Sequence, residues 1–145
     1  MSIILLTISL WAVLHTSLSW SGDRYAHDPS WIKSGHCYYI FSTAGDPHYH
    51  NGNCEIRRLC NDTSVKIGAI FDTVPQWIHK YAEKASNMWA PDINYFNGEY
   101  YVYYVGSSMG SRNSVIALAT AKNIEGPYVD RGEVCIERFR FFAKD

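Results

Sequence analysis

Short runs of alternating apolar and polar residues cover most of the chain after its first twenty positions. The clearest are CYYIFST, KIGAIFD, EYYVYYVGS and SVIALAT. They are rich in Tyr, Val, Ile and Phe and are bounded by clusters of Gly, Asn, Asp and Pro, a pattern typical of strands and turns. Only PQWIHKYAEKAS, which opens with Pro75, has helical character, and we expect one or two turns there. The pattern predicts an all-β fold.

The strand pattern occurs twice along the chain. HDPSWIKSGHCYYIFST and APDINYFNGEYYVYYVG both contain an Asp, then a Gly, then a Tyr-Tyr pair that opens an alternating strand. Aligning Asp28 with Asp92 gives a period of 64 residues, the difference between 28 and 92. The second copy carries Asn97-Gly98, the signature of a tight two-residue hairpin. A four-stranded unit repeated in this way is typical of the blades of a β-propeller.

Two such blades account for most of the chain. A propeller needs at least about 4 blades, or roughly 260 residues at this period, whereas the chain has 145 residues. The sequence therefore predicts about two blades over residues 20–134. The tail over residues 135–145, CIERFRFFAKD, has no blade pattern. We interpret it as the product of a truncated or misjoined gene model, or as the end of a genuine short protein.

The first residues have the pattern of a secretory signal. An apolar run from Ile3 to Leu14 is too short to span a bilayer, and the small residues Ser17 and Ser19 that follow suit a signal-peptidase site. We therefore predict a signal peptide over residues 1–19, with cleavage after Ser19 or Ser21. The mature protein is expected to be secreted, extracellular and free of the membrane.

Composition narrows the range of partners. The formal net charge is -1, which gives no electrostatic reason to expect nucleic acid or an anionic membrane as partner. Aromatic residues make up 15% of the chain, with eleven Tyr, six Phe and five Trp. Such residues suit strands, and they also suit surfaces that stack on sugar rings.

Secretion would expose four cysteines, Cys37, Cys54, Cys60 and Cys135, to an oxidising compartment, where three pairings are possible. Proximity favours a bridge between Cys54 and Cys60. Cys37 lies in a strand-like run and is equally compatible with a buried free thiol.

The histidines and the sequon predict surface positions. The cysteine spacings do not match a zinc site, and His36, His48 and His50 are expected on a solvated loop rather than on a metal. Asn61, in NDT, is the only glycosylation sequon of the sequence. It falls in a polar, loop-like stretch, as a glycan acceptor should.

Three segments together resemble glycoside hydrolase family 43, specifically its endo-1,5-α-L-arabinanases. They are HDPSWIKSGHCYYIFST, the stretch from IFDTVPQWIHKY to IALATA, and GPYVDRGEV, which cover nearly all of residues 25–134. WIHKY followed by ASNMWAPDI and GSRNS favours the arabinanases over the β-xylosidases of the same family. The resemblance implies a five-bladed propeller that hydrolyses α-1,5-linked arabinan, the side chain of pectin, with inversion at the anomeric carbon.

Asp28 is the main catalytic candidate. An Asp before a Pro is common in turns, but the resemblance implies that Asp28, in HDPS, is the general base. An inverting site needs this base to activate water on one face of the sugar, while a carboxylic acid protonates the leaving oxygen from the other. In the family the pKa-modulating Asp and the acid Glu belong to later blades, beyond residue 145.

Two other carboxylates resemble catalytic groups less well. Asp92, in WAPD, begins the second blade as the repeat counterpart of Asp28, and we interpret it as structural because the modulator of the family belongs to a later motif. Glu125, in IEGPY, resembles an acid motif by its letters. We expect it in a solvated turn before the closing strand of the second blade.

Three residues are candidates for substrate contact. The indole of Trp89 could stack on an arabinose ring at the rim of the pocket, or it could be a core Trp between blades. His27 could touch the sugar or orient Asp28. Met109 stands where arabinanases often show Phe. The family often carries calcium in its central channel through a ligand that lies downstream, and we expect neither cofactor nor metal within this chain.

Two functions of different classes follow. The first is a secreted glycoside hydrolase that acts on arabinan but is incomplete, and inactive, as this chain alone. The second is a non-catalytic arabinan-binding or regulatory module of two blades. Endo and exo action are not distinguished by the sequence.

Overall fold

The computed structural model describes residues 21–43, 53–108 and 110–138, with the backbone alone for residues 135–138. The predictions for residues 1–19, for His48, His50 and Met109, and for the chain after Arg138 lie outside these residues. Within them are nine strands and one 3₁₀ helix: β1 Ser21–Gly22, β2 His27–Ser34, β3 Cys37–Thr43, β4 Glu55–Cys60, β5 Thr63–Ala69, the 3₁₀ helix Gln76–Lys80, β6 Asn87–Phe96, β7 Glu99–Ser107, β8 Asn113–Ala121 and β9 Val129–Arg138.

The strands form two antiparallel sheets, which we call the first and the second blade. The first has the order β5-β4-β3-β2, with β1 added in parallel at the outer edge, and the second has the order β6-β7-β8-β9. The predicted all-β fold with about two blades is confirmed, as is the short helix after Pro75. Strand β9 continues to Arg138, past Val134, the predicted end of the second blade. No helix of the described segments has the length and apolarity to cross a bilayer.

Strand pairing corrects the repeat period. Ser30 pairs with Phe41 in the first blade, and Asp92 pairs with Tyr103 in the second. Subtracting 30 from 92, and 41 from 103, gives 62 residues in both cases. The predicted period of 64 is wrong because it aligned two Asp residues by identity, whereas the pairing of the sheets sets equivalence.

The corrected period changes the counterpart of Asp28. Position 28 is equivalent to position 90, so Ala90 and not Asp92 matches Asp28, and Pro29 matches Pro91. The hairpin prediction is confirmed, since Asn97 and Gly98 join β6 to β7 with φ of 48° and 80°. A turn with two left-handed residues matches the twist of the strands that it connects.

The core lies between the two blades. One face of the first blade, with Tyr39 and Phe41, packs on one face of the second, with Ile93 and Val102. The ring of Phe41 meets that of Tyr128 edge-on at 6.0 Å between centroids. We call these the near faces of the blades. Because side chains alternate along a strand, each blade also has a far face that is turned away from the other blade.

The cysteine pairing differs from the prediction. Cys37 and Cys60 form a disulfide across β3 and β4, with their Cα atoms 4.7 Å apart, whereas Cys54 is buried and free. The predicted bridge between Cys54 and Cys60 is wrong because β4 lies between them, and six residues of extended chain separate their Cα atoms by roughly 20 Å. The free thiol considered for Cys37 is also wrong.

One buried thiol and two buried phenols lead us to expect that the protein loses stability at high pH. Burial raises the pKa of the Cys54 thiol and of the Tyr104 and Tyr128 phenols far above their ordinary values. All three groups are neutral in the folded and in the unfolded chain below about pH 8.5, which is the ordinary pKa of a Cys thiol. Above it the unfolded chain releases protons that the folded chain retains, so the free energy of unfolding falls, by up to about 1.4 kcal/mol per pH unit for each group.

Urea titrations between pH 8 and pH 11 test this expectation. Cys54→Ala and Tyr104→Phe should each make the decline less steep. Phe96→Leu should keep the wild-type slope, because Phe96 is exposed and carries no titratable group. Equal slopes in all four proteins would contradict the assignment of the decline to buried groups.

Candidate functional site

In each blade one edge strand lies against the other blade, β2 in the first and β6 in the second, and we call these the inner strands. Each inner strand begins with a β-bulge. The register shifts between His27 and Ser30 in the first blade and between Trp89 and Asp92 in the second. At these bulges Asp28 and Ala90 have φ of 49° and 44°, a left-handed conformation that is uncommon for residues other than Gly. Since both blades adopt it, the conformation belongs to the blade architecture. What distinguishes the first blade is the carboxylate placed on it.

The Asp28 carboxylate is held through one oxygen. His27 Nδ1 lies 2.8 Å from Asp28 Oδ2, and Thr43 Oγ1 donates a hydrogen bond to the same oxygen at 3.0 Å. No hydrogen bond from the described residues reaches Asp28 Oδ1. The side chain is 45% exposed. This arrangement fixes the orientation of the carboxylate and leaves Oδ1 available to accept a proton.

Thr43 connects the two bulges. Its hydroxyl oxygen accepts a hydrogen bond from the Ala90 amide at 2.7 Å while the hydroxyl donates to Asp28. Thr43 is positioned for this by its place at the end of β3, where it pairs with His27. The second blade therefore takes part in orienting Asp28.

Asp92 has a different environment, because both of its oxygens accept hydrogen bonds. Ser30 Oγ donates to Oδ1 at 3.0 Å, and Asn94 Nδ2 donates to Oδ2 at 3.3 Å. Ser30 Oγ also accepts from the Ile93 amide at 3.2 Å. Asp92 thus joins the inner strands β2 and β6, and this geometry favours the structural interpretation.

Trp89, a candidate for substrate contact, lies apart from Asp28. Trp89 is partly buried and pairs with Val105 on the far face of the second blade, at the position equivalent to His27. It is not among the side chains that pack on the core of the described residues. No ring contact or hydrogen bond of the described residues joins it to Asp28.

Glu125 lies in the turn between β8 and β9, as predicted, and holds the blades together. It accepts hydrogen bonds from the Tyr39 hydroxyl at 3.0 Å and from Arg58 Nη1 at 2.9 Å. Burial, and then the nearby Glu125 carboxylate, raise the pKa of the Tyr39 phenol. The contacts of Glu125 are therefore with the first blade near β3 and β4, and not with Asp28.

Asn61 occupies the turn between β4 and β5, where it is exposed with a φ of 47°. The position is accessible to a glycan, and glycosylation stays a prediction. His36 is exposed in the turn between β2 and β3.

The described residues bring potential metal ligands together in one place. Their one group of three potential ligands is His36 with Cys37 and Cys60, and the two sulfurs are joined in the disulfide. Calcium prefers oxygen ligands, so this group does not fit the calcium that the resemblance implies for the complete fold.

Sequence reasoning missed Thr43 and Ser30 as partners of the two inner carboxylates. Neither residue type marks a site by itself, and the roles of both follow from the contact between β2, β3 and β6. The one available signal is register, since Thr43 lies opposite His27 once the hairpin at Gly35 is placed.

Curated relatives of the chain include arabinanases. The probable arabinan endo-1,5-α-L-arabinosidase C of Aspergillus niger is 35% identical over 124 residues, which covers 79% of this chain and 34% of that protein. The extracellular endo-α-(1→5)-L-arabinanase 1 of Bacillus subtilis is 37% identical over 122 residues, which covers 79% of this chain and 35% of that protein. The chain thus spans about a third of the length of these relatives.

Solved structures give the same likeness. The GH43 endo-arabinanase from Bacillus licheniformis superposes with a TM-score of 0.73 at 34% identity, covering 81% of this chain and 40% of that one. The α-L-arabinanase of Cellvibrio cellulosa complexed with arabinohexaose superposes with a TM-score of 0.66 at 26% identity, covering 77% and 36%. The predicted five-bladed propeller family is confirmed, with part of the propeller in this chain.

The family model for glycosyl hydrolases family 43 matches residues 22–141. This range includes both blades, both bulges and Asp28. The chain therefore belongs to glycosyl hydrolases family 43.

Proposed function

We propose that the chain provides the general-base side of an active site that hydrolyses α-1,5-linked arabinan with inversion. The observation that carries the proposal is the Asp28 carboxylate, which is held through Oδ2 at the start of the innermost strand while Oδ1 is left available. In the reaction, Oδ1 accepts a proton from the attacking water. The water attacks the anomeric carbon opposite the leaving oxygen, as an inverting site requires.

Arabinan is the proposed substrate because the relatives are named for their action on it, and one neighbour is complexed with arabinohexaose. His27 is the candidate for contact with the sugar nearest to the base, since its ring touches Asp28. Trp89 and Met109 remain proposed substrate contacts. Relatives from Bacillus subtilis and Thermotoga petrophila are named extracellular, which supports secretion of this protein and the signal peptide proposed for residues 1–19.

A hybrid enzyme tests the proposed function. Residues 22–141 would replace the matching segment of the Bacillus licheniformis endo-arabinanase, which is 34% identical to this chain. The hybrid should release reducing ends from linear α-1,5-arabinan and not from β-1,4-xylan. Thermal unfolding would establish that it folds. A folded hybrid without activity on arabinan would contradict the proposal and favour the alternative, a non-catalytic arabinan-binding or regulatory module.

The 145-residue chain alone is expected not to hydrolyse arabinan. An inverting site needs an acid and a base about 6.5 to 9.5 Å apart, and general acid catalysis contributes about 10² to 10⁴ in rate. Asp92 is a poor acid for this purpose because both of its oxygens accept hydrogen bonds. Glu125 is a poor acid because Tyr39 and Arg58 hold it in the turn between β8 and β9, where it makes no contact with Asp28.

Reducing-end assays with linear arabinan, on chain purified free of host glycosidases, measure this directly. Asp28→Ala is the control for contaminating activity. Hydrolysis by the wild-type chain that the control lacks would contradict the expectation and point to Asp92 or Glu125 as the acid.

A further inference from the structure

The turn between β2 and β3 brings two sulfur ligands and one nitrogen ligand together. His36 lies in this turn, Cys37 opens β3 and Cys60 ends β4. The two Sγ atoms and a ring nitrogen of His36 all lie within 4.8 Å of one another. Cysteine sulfur and histidine nitrogen are the ligands that zinc prefers in proteins.

Strand pairing, and not proximity along the chain, forms this group. Tyr38 pairs with Leu59. The same register places Cys37 opposite Cys60, with Cα atoms 4.7 Å apart, the close type of antiparallel pair in which side chains approach each other most nearly. The two cysteines are separated by 23 residues in the sequence, which is why their spacing matches no zinc motif and predicts no metal at His36.

The group is open to solvent on one side. Cys37 is buried, Cys60 is half-buried and His36 is exposed, so an ion can enter past the imidazole while the sulfurs stay fixed on paired strands. The group lies at the opposite end of β2 from Asp28, roughly 25 Å away along an extended strand. It therefore takes no part in the proposed hydrolysis, and its role does not depend on that of Asp28.

The sulfurs become available when the disulfide between Cys37 and Cys60 is reduced. A dithiol reductant transfers two electrons and two protons to the disulfide, so that the S–S bond breaks, both cysteines become thiols, and the reductant itself becomes a disulfide. A divalent ion that then binds displaces both thiol protons. Its two positive charges balance the two thiolates, which matters because an unpaired charge at the buried Cys37 would be costly.

We propose that the reduced chain binds one zinc ion through His36, Cys37 and Cys60, with water as the fourth ligand. Bonds of about 2.3 Å to sulfur and about 2.0 Å to nitrogen place the ligand atoms of a tetrahedral site roughly 3.5 to 3.8 Å apart. This spacing is compatible with ligand atoms that already lie within 4.8 Å of one another. The ion then replaces the disulfide as the link between β3 and β4, and the first blade stays cross-linked in either redox state.

Cobalt(II) titration of the reduced 145-residue chain tests the proposal, because cobalt bound tetrahedrally by thiolates absorbs in the near ultraviolet and the visible. The chain is reduced without oxygen by a phosphine, which takes the oxygen of one water and leaves its two hydrogens on the sulfurs. One equivalent of cobalt should bind, and one equivalent of zinc should displace it. Excess calcium or magnesium should not, since thiolates favour softer ions.

Three comparisons assign the binding to this group. The oxidised chain should show no cobalt absorption, nor should the reduced Cys37→Ser, Cys60→Ser double variant. His36→Ala should weaken binding at least about 10- to 100-fold, the loss that follows removal of a mere partner of a ligand. His79→Ala is the matched control, because His79 lies on the 3₁₀ helix outside the group, and it should bind as the wild type does.

Replacing both Cys54 and Cys135, the other two cysteines of the chain, by Ala excludes binding by any available pair of thiols, and this variant should still bind one cobalt ion. Circular dichroism reports whether the reduced chain keeps its strands. A chain that loses them and regains them with zinc would also support the proposal, because binding is then coupled to folding. Absence of the cobalt absorption in the reduced wild type, equal affinity in His36→Ala, or absorption that requires Cys54 or Cys135 would overturn it.

Discussion

Asp28→Asn in the hybrid enzyme should lower kcat by about 10² to 10⁴, the usual contribution of general base catalysis, with little change in KM. The amide has almost the shape of the carboxylate, so substrate binding and the bulge should survive. The amide cannot take a proton from water at neutral pH, so the chemical step should become much slower. Steady-state kinetics on linear arabinan, with folding verified by thermal unfolding, give both constants.

Asp92→Asn is the matched control for this substitution. The two residues lie on neighbouring inner strands, but both Asp92 oxygens already accept hydrogen bonds, and the Asn carbonyl can still accept one from Ser30. We expect less than about a tenfold change in kcat, because no proton transfer depends on it. Near-normal turnover by Asp28→Asn would remove Asp28 from the mechanism, and a larger loss for Asp92→Asn would transfer the role of base to Asp92.

Arg57→Ala should be the most destabilising single substitution that we propose, with a loss of about 3 to 5 kcal/mol in the free energy of unfolding. Arg57 is buried with Glu55, donates to Ser42 Oγ at 2.9 Å, and places its Nε 3.1 Å from Asp23 Oδ2 without hydrogen-bond alignment. Its removal leaves the buried Glu55 carboxylate with Lys66 as its remaining ion-pair partner. A domain of ordinary stability has only about 5 to 15 kcal/mol to lose.

The neighbouring residue provides the control for Arg57→Ala. Arg58 points to the opposite face of β4, is 42% exposed, and pairs with the partly exposed Glu125. Because water screens such pairs, Arg58→Ala should cost no more than about 1 kcal/mol. Urea unfolding of the three chains at one protein concentration gives the comparison. If both substitutions lower the free energy of unfolding equally, burial does not determine how strongly the Arg57 contacts stabilise the fold.

Local patterns were sufficient to predict strands at β3, β5, β7 and β8, the short helix and the β6–β7 turn. Alternation along CYYIFST and EYYVYYVGS reflects the two faces of a blade, and Asn97-Gly98 suits a turn that needs two left-handed residues. These features depend on residues close together in the chain. The catalytic role proposed for Asp28 follows only from the family motif, because an Asp-Pro pair by itself indicates no more than a turn.

Features that depend on distant contacts were not predictable in the same way. The repeat was misaligned by two residues because identity favoured Asp92, while strand pairing favours Ala90 as the match for Asp28. The disulfide was misassigned because sequence proximity is a poor guide when the intervening residues form an extended strand. Thr43 was missed because its significance depends on a backbone amide of the other blade.

The Thr43 hydroxyl also makes the orientation of Asp28 sensitive to relative motion of the two blades. Asp28 Oδ2 and the Ala90 amide are two ends of one short relay through a single oxygen, so a small separation of the blades breaks the relay while every strand remains paired. We therefore expect Asp28 to lose its orientation before the chain unfolds on heating or in denaturant. Substitutions that weaken the contact between the blades would yield a protein that is folded, as judged by circular dichroism, but has low catalytic activity.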